Sequence, residues 1–165
     1  MATIVIPFRA EAPKSRLPET MRAALAQAML ADVQAACRSA GRVVVAGGAA
    51  GQGAAVVEVL RGVEGPVAVV NSDLPCAIPG DIVALLEAAP ALVAARDGTT
   101  NALALMDARE FRPLYGPGSA ARFGLRAIDL PNLVDDVDTL EDLEWVAGRV
   151  GRKTRALLGA LRVPA

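Results

Sequence analysis

The chain has 165 residues, a net charge of −1 and no histidine, which fits one domain with a substantial buried core. The missing histidine excludes Ser-His-Asp and Cys-His catalysis and any His-containing zinc site. Near-neutral charge and 3% aromatic residues leave neither a bulk basic field nor a stacking surface for nucleic acid.

Thr3–Ile6 reads as the first strand; no basic n-region or long apolar h-region makes it a signal peptide. The loop 7–18 carries Arg9, Lys14 and Arg16, and 19–38 has the apolar spacing of a helix. Cys37 lies on that helix's apolar face and reads as a core thiol. Arg42–Ala46 is a second strand, 47–53 a Gly-rich turn and 54–61 a short helix. The run 66–70 reads as a third strand that runs on to Asp73, and Pro79 opens a helix to about Ala88. Cys76 reads as structural or incidental. Strands follow at 91–95 and, after the turn 97–101, at 102–106. A Gly/Pro-rich loop with room for a short helix fills 111–123; 125–129 and 133–135 read as short strands, and Thr139 as the N-cap of a helix over 140–150. A basic helix or tail closes the chain at 152–162. This alternation predicts a single α/β domain, a mostly parallel sheet with helices on both faces. No stretch reaches membrane-spanning length without a charge, Gly or Pro, so the cytoplasm is the expected compartment.

Ligands of open α/β sheets bind beyond the carboxyl ends of the strands. Asp73, in Asn71-Ser72-Asp73-Leu74-Pro75, ends one buried run there. Asp136 and Asp138, two apart, share one face of an extended segment, and with Asp135 beside them they repel in a way a cation relieves. Carboxylates converging in this manner form a hard-oxygen site for Mg²⁺, an ion usually shared with substrate phosphates; Asp138 or Thr139 is alternatively a helix cap. Lys14 and Arg16 are basic groups able to meet a polyphosphate, or simply solvated. The turn at Gly51-Gln52-Gly53 allows backbone amides to approach a base or phosphate, although it lacks the lysine of a P-loop. Thr100 and Asn101 are neutral donors suited to a carboxylate, or residues of an ordinary Asp-Gly turn. Gly116-Pro117-Gly118-Ser119 can present amides and a hydroxyl to an anion, with Arg122 adding charge.

Taken in order, Lys14-Ser15-Arg16-Leu17, Ser72-Asp73-Leu74-Pro75, Asp97-Gly98-Thr99-Thr100-Asn101-Ala102-Leu103, the segment Phe111 to Phe123 and Asp136-Val137-Asp138-Thr139 make the chain resemble the 2-phospho-L-lactate / phosphoenolpyruvate guanylyltransferase family of coenzyme F-420 biosynthesis. The resemblance covers nearly the whole chain. It implies a Rossmann-like nucleotidyltransferase fold of three αβα layers, like that of molybdenum-cofactor guanylyltransferases. It further implies GMP transfer from GTP to the phosphate of a three-carbon phospho-acid, with metal on Asp73, Asp136 and Asp138. Acceptor-carboxylate contacts fall near Thr100 or Asn101 and on Gly116 and Ser119; Lys14 and Arg16 belong to the loop that meets nucleotide phosphates, and Arg9, Gly51, Gln52 and Gly53 are assigned to the nucleotide. The chain departs from the family's pattern between its second strand and Ser72, where only 47–65 remains of a longer nucleotide-associated stretch. Another acceptor, such as molybdopterin, or a non-catalytic nucleotide-binding role stays open, as does the oligomeric state, a homodimer included.

Overall fold

The computed structural model describes residues 1–9, 17, 19–48 and 51–162. Its chain order is β1 (Ala2–Pro7), α1 (Glu19–Cys37), β2 (Gly41–Ala46), α2 (Gln52–Leu60), β3 (Val67–Val70), α3 (Pro79–Glu87), β4 (Ala91–Ala94) and β5 (Thr100–Leu105). After a 3-10 turn at Ala108–Glu110 come α4 (Ser119–Phe123), β6 (Arg126–Ala127), α5 (Pro131–Val134), α6 (Leu140–Val146) and α7 (Arg152–Arg162).

The strands form one sheet in the order β2-β1-β3-β5-β4-β6. β1 pairs parallel with β2 and β3, and β4 parallel with β6. Only β5 is reversed, lying antiparallel between β3 and β4. The reversal starts at a tight turn. The Asp97 carboxylate accepts the Thr99 amide at 2.9 Å and its hydroxyl at 2.6 Å, and the Ala95 amide donates to the Thr99 carbonyl at 2.9 Å.

Alternation along each strand sorts side chains onto two faces. Ile4, Ile6, Ala68, Val70 and Val93 pack with Leu30 and Val33 of α1 and Ile82 and Leu85 of α3. Val5, Val67, Val69, Leu92 and Leu103 pack with Val56 and Leu60 of α2. The result is the expected three-layer arrangement. A third cluster joins Leu25 and Met29 of α1 to Leu143 and Val146 of α6, with Val137 and Cys76 between them. Both cysteines are buried, and burial pushes the Cys37 thiol up to about 12. Among the described residues no helix is long and apolar enough to cross a membrane.

Several local readings change. The helix expected over 140–150 ends at Val146, and the strand expected over 125–129 is only Arg126–Ala127. The expected strand at 133–135 falls instead largely on α5, because Pro131 occupies a first helical position, where its fixed φ and missing amide suit a helix start. α2 begins at Gln52 rather than Ala54. β5 begins at Thr100, so Thr100 and Asn101 belong to a strand and not to the preceding turn; ladder pairing of Ala94 with Thr100 draws them in.

Candidate active site

β1 has β2 on one side and β3 on the other, so the crevice beyond the carboxyl ends of β1 and β3 is the switch point of the sheet. Asp73 lies there, three residues past the end of β3. The segment after α5 is laid against it by a bond from the Val137 amide to the Asp73 carbonyl at 3.0 Å. Val137 is fully buried; in extended chain its neighbours Asp136 and Asp138 therefore point the other way. One carboxylate oxygen from each of Asp73, Asp136 and Asp138 lies within 4.8 Å of the others.

The electrostatics match that crowding. The Asp136 carboxyl is raised from 3.8 to about 6, first by burial, then by the Asp73 charge, with Asp138 adding and a hydrogen bond from Asn101 opposing. Capping of α6 is done by Thr139 and Asp142, which exchange bonds of 3.1 and 2.8 Å. The alternative capping role for Asp138 therefore passes to its neighbours. Three hard oxygen donors converging at a strand end suit a divalent cation of the Mg²⁺ kind, and by this donor chemistry Asp73, Asp136 and Asp138 fit one.

The other predicted residues that the structure describes occupy distinct places. Thr100 and Ser119 are buried, with hydroxyl oxygens 3.0 Å apart, tying the start of β5 to the start of α4. Asn101 is also buried, and its amide nitrogen donates to the carbonyls of Leu133 and Val134 at 3.0 and 2.9 Å and to Asp136 Oδ1 at 3.3 Å. These bonds direct its amide nitrogen into the fold, where it supports the acid-bearing segment. Gly116 and Gly118 have φ of 108° and 70°, a region costly for other residues. Their loop is stapled by Arg122, whose guanidinium donates to the carbonyls of Leu114, Tyr115 and Pro117. Arg122 thus shapes the loop.

Gly51 precedes α2, and Gln52 Nε2 donates to Asn71 Oδ1 at 2.6 Å. A Cβ on Gly53 would sit 2.7 Å from Pro113 Cβ, so close packing alone accounts for that glycine. Arg9 is exposed at the exit of β1. Lys14 and Arg16 lie outside the described residues.

Sequence reasoning missed two features. Asn71 joins the parts of the site: it accepts from Gln52, and its own amide donates to the Thr100 carbonyl at 3.1 Å. Its position directly before Ser72-Asp73 was the available signal. Asp135 accepts Arg96 Nε and Arg149 Nη2, each at 2.6 Å. Burial pushes its carboxyl up, but these two bonds prevail and hold it below the usual range. No local pattern connects those arginines to it.

The fold is that of the nucleotidyltransferases. It matches a Desulfovibrio desulfuricans G20 protein described as a nucleotide-diphospho-sugar transferase with a TM-score of 0.70, at 19% identity over 96% of this chain and 94% of that one. A nucleotidyl transferase from Methanothermobacter thermautotroptrophicus matches with a TM-score of 0.57, at 12% identity over 88% and 95% of the two chains. In sequence, the chain is 33% identical to phosphoenolpyruvate guanylyltransferase 2 of Rhodococcus jostii (strain RHA1) over 94% of its length and 89% of the relative's. It is 34% identical to the 2-phospho-L-lactate guanylyltransferase of Methanosphaerula palustris over 84% and 80%. The chain belongs to the phosphoenolpyruvate / 2-phospho-L-lactate guanylyltransferase family. Against the phosphoenolpyruvate guanylyltransferase of Streptomyces scabiei it is 37% identical, the match spanning 68% of this chain and 57% of that relative. No family model matches.

Proposed function

We propose that the protein transfers GMP from GTP to the phosphate of phosphoenolpyruvate or 2-phospho-L-lactate, releasing pyrophosphate, as a step toward coenzyme F-420. The observation that carries this reading is the convergence of Asp73, Asp136 and Asp138 at the switch point of a nucleotidyltransferase fold in a chain of this family.

In the reaction, an oxygen of the acceptor phosphate attacks the α-phosphorus of GTP. A new P–O–P link forms, the bond to the β-phosphate oxygen breaks, and pyrophosphate leaves. The acceptor phosphate is already ionised near neutral pH, so no residue has to remove a proton, and the absence of histidine is no obstacle. Catalysis rests on positioning and charge neutralisation. Asp73, Asp136 and Asp138 would hold Mg²⁺, which when bound neutralises charge on the reacting phosphates. In this reading Lys14 and Arg16 steady the leaving pyrophosphate by their charge, and Arg9, Gly51 and Gln52 serve the nucleotide. Gly116, Ser119 and Thr100 orient the acceptor carboxylate by neutral donors. The 3.0 Å approach of the two buried hydroxyls ties the start of α4 to the start of β5 and so fixes the Gly116–Ser119 segment beside that strand, which supports the assignment.

The test is pyrophosphate release with GTP, Mg²⁺ and, in turn, phosphoenolpyruvate, 2-phospho-L-lactate and 3-phosphoglycerate, with ATP and CTP as controls. Release with GTP and one acceptor is expected. Asp73→Asn should lower turnover by about 10²-fold or more while leaving the protein folded; an Asp73→Asn protein as active as wild type would refute the metal assignment.

A further inference from the structure

Asp135 stands beside the acid cluster yet turns away from it. Its backbone is extended (φ −95°, ψ 95°), so its side chain and that of Asp136 leave the chain on opposite sides. Asp136 goes toward Asp73 and Asp138. Asp135, only 8% exposed, goes between two guanidiniums: Oδ1 accepts Arg96 Nε and Oδ2 accepts Arg149 Nη2, each at 2.6 Å. The arginines come from separate elements, Arg96 from just beyond β4 and Arg149 from the turn between α6 and α7. Arg96 is itself exposed but lies 5.8 Å from the centre of the Trp145 ring, close enough for a cation–π attraction that restrains it.

Three carboxylates within 4.8 Å of one another repel, and the repulsion acts to push the segment 135–138 away from Asp73. Opposing it on the cluster side are the Val137 amide bond to the Asp73 carbonyl and the Asn101 bonds to Leu133, Val134 and Asp136. On the far side the charged anchor is Asp135, gripped at both oxygens. We propose that the Arg96–Asp135–Arg149 clamp is a positioning device for the metal-binding acids, fixing the backbone of 135–138 so that Asp136 and Asp138 stay converged on Asp73 before a cation arrives. This rests on the metal-site reading above. Groups behind metal ligands commonly matter to affinity, because they hold the ligands' orientation.

The experiment is direct Mn²⁺ binding, by calorimetry and by loss of the free-ion paramagnetic resonance signal, on full-length protein. Each variant is first checked for wild-type circular dichroism. Asp135→Asn and Arg149→Gln should weaken Mn²⁺ binding by about tenfold or more. Arg149→Lys, which keeps a charged donor, should recover most of it. Arg96→Gln, an exposed change that removes one arm alone, should give a smaller loss and provides the reading if Asp135→Asn fails to fold. Wild-type affinity in folded Arg149→Gln and Arg96→Gln would overturn the clamp while leaving the metal site standing, provided Asp73→Asn abolishes binding. Absence of Mn²⁺ binding to the wild-type protein would overturn both.

Discussion

Asp136 offers a perturbation whose sign reverses with conditions. Its carboxyl is raised from 3.8 to about 6 in the folded protein. Between those values the folded state holds a proton that the unfolded state has lost, so stability falls as pH rises through this window. Below about pH 4 the effect vanishes, and above about pH 6 the destabilisation is complete. A shift of this size corresponds to about 3 kcal/mol in full, and since part of the carboxyl reaches solvent, about 1–2 kcal/mol is the appropriate value after screening. Asp136→Asn removes the charge and keeps the volume, and its amide oxygen can still accept from Asn101, as Oδ1 does at 3.3 Å. In EDTA at pH 8 the variant should therefore be about 1–2 kcal/mol more stable than wild type, and at pH 4 the two should coincide. With Mg²⁺ at about a hundred times its dissociation constant, wild type gains about 2.7 kcal/mol. The variant, short of one of the proposed ligands, should gain much less, and the order should reverse. Urea denaturation of both proteins at the two pH values, in EDTA and in excess Mg²⁺, measures all four differences. The reasoning is refuted if Asp136→Asn is no more stable than wild type in EDTA at pH 8, or if the same gain persists at pH 4.

Two further substitutions probe the frame around the site. A Cβ on Gly151 would lie 2.4 Å from Asp32 Cγ, whose carboxylate accepts the amides of Lys153 and Thr154 at 2.9 and 2.8 Å and so caps α7 from across the fold. Gly151→Ala should cost about 2–3 kcal/mol in urea denaturation, whereas Gly148→Ala, with nothing within 4 Å of the new Cβ, should stay within about 0.5 kcal/mol. Arg122→Ala releases the carbonyls of Leu114, Tyr115 and Pro117. It should raise KM for the phospho-acid by about tenfold in the pyrophosphate assay, with little recovery in Arg122→Lys because a planar fork is needed to reach several carbonyls; an unchanged KM would refute the loop's assignment to the acceptor.

Much of this could be read along the chain. The apolar run Val67–Val70 is buried at every position, as a strand covered on both faces must be, and Asp73 beyond it marks the switch point. The spacing of Asp136 and Asp138 around an apolar Val137 carries their shared orientation, because alternation in extended chain is a local property. Thr139 as the cap of α6 was legible for the same reason: the bond it accepts spans three residues.

The remainder depends on which surfaces meet. The Asp-Gly turn at 97–98 was visible as a turn, but inserting β5 between β3 and β4 depends on the match of whole apolar faces. The turn also draws Thr100 and Asn101 into the strand, where the Asn101 amide reaches residues 32, 33 and 35 positions away. Asp135 meets Arg96 across 39 positions and Arg149 across 14, separations at which no sequence periodicity survives. The sequence by itself determined most of the strands, the cap of α6 and the shared orientation of Asp136 and Asp138, since each follows from burial or hydrogen bonding among near neighbours. Only the tertiary structure decided that Asn101 supports the acids, that Arg122 shapes a loop and that Asp135 is clamped from behind, because those partners are chosen by packing between distant elements.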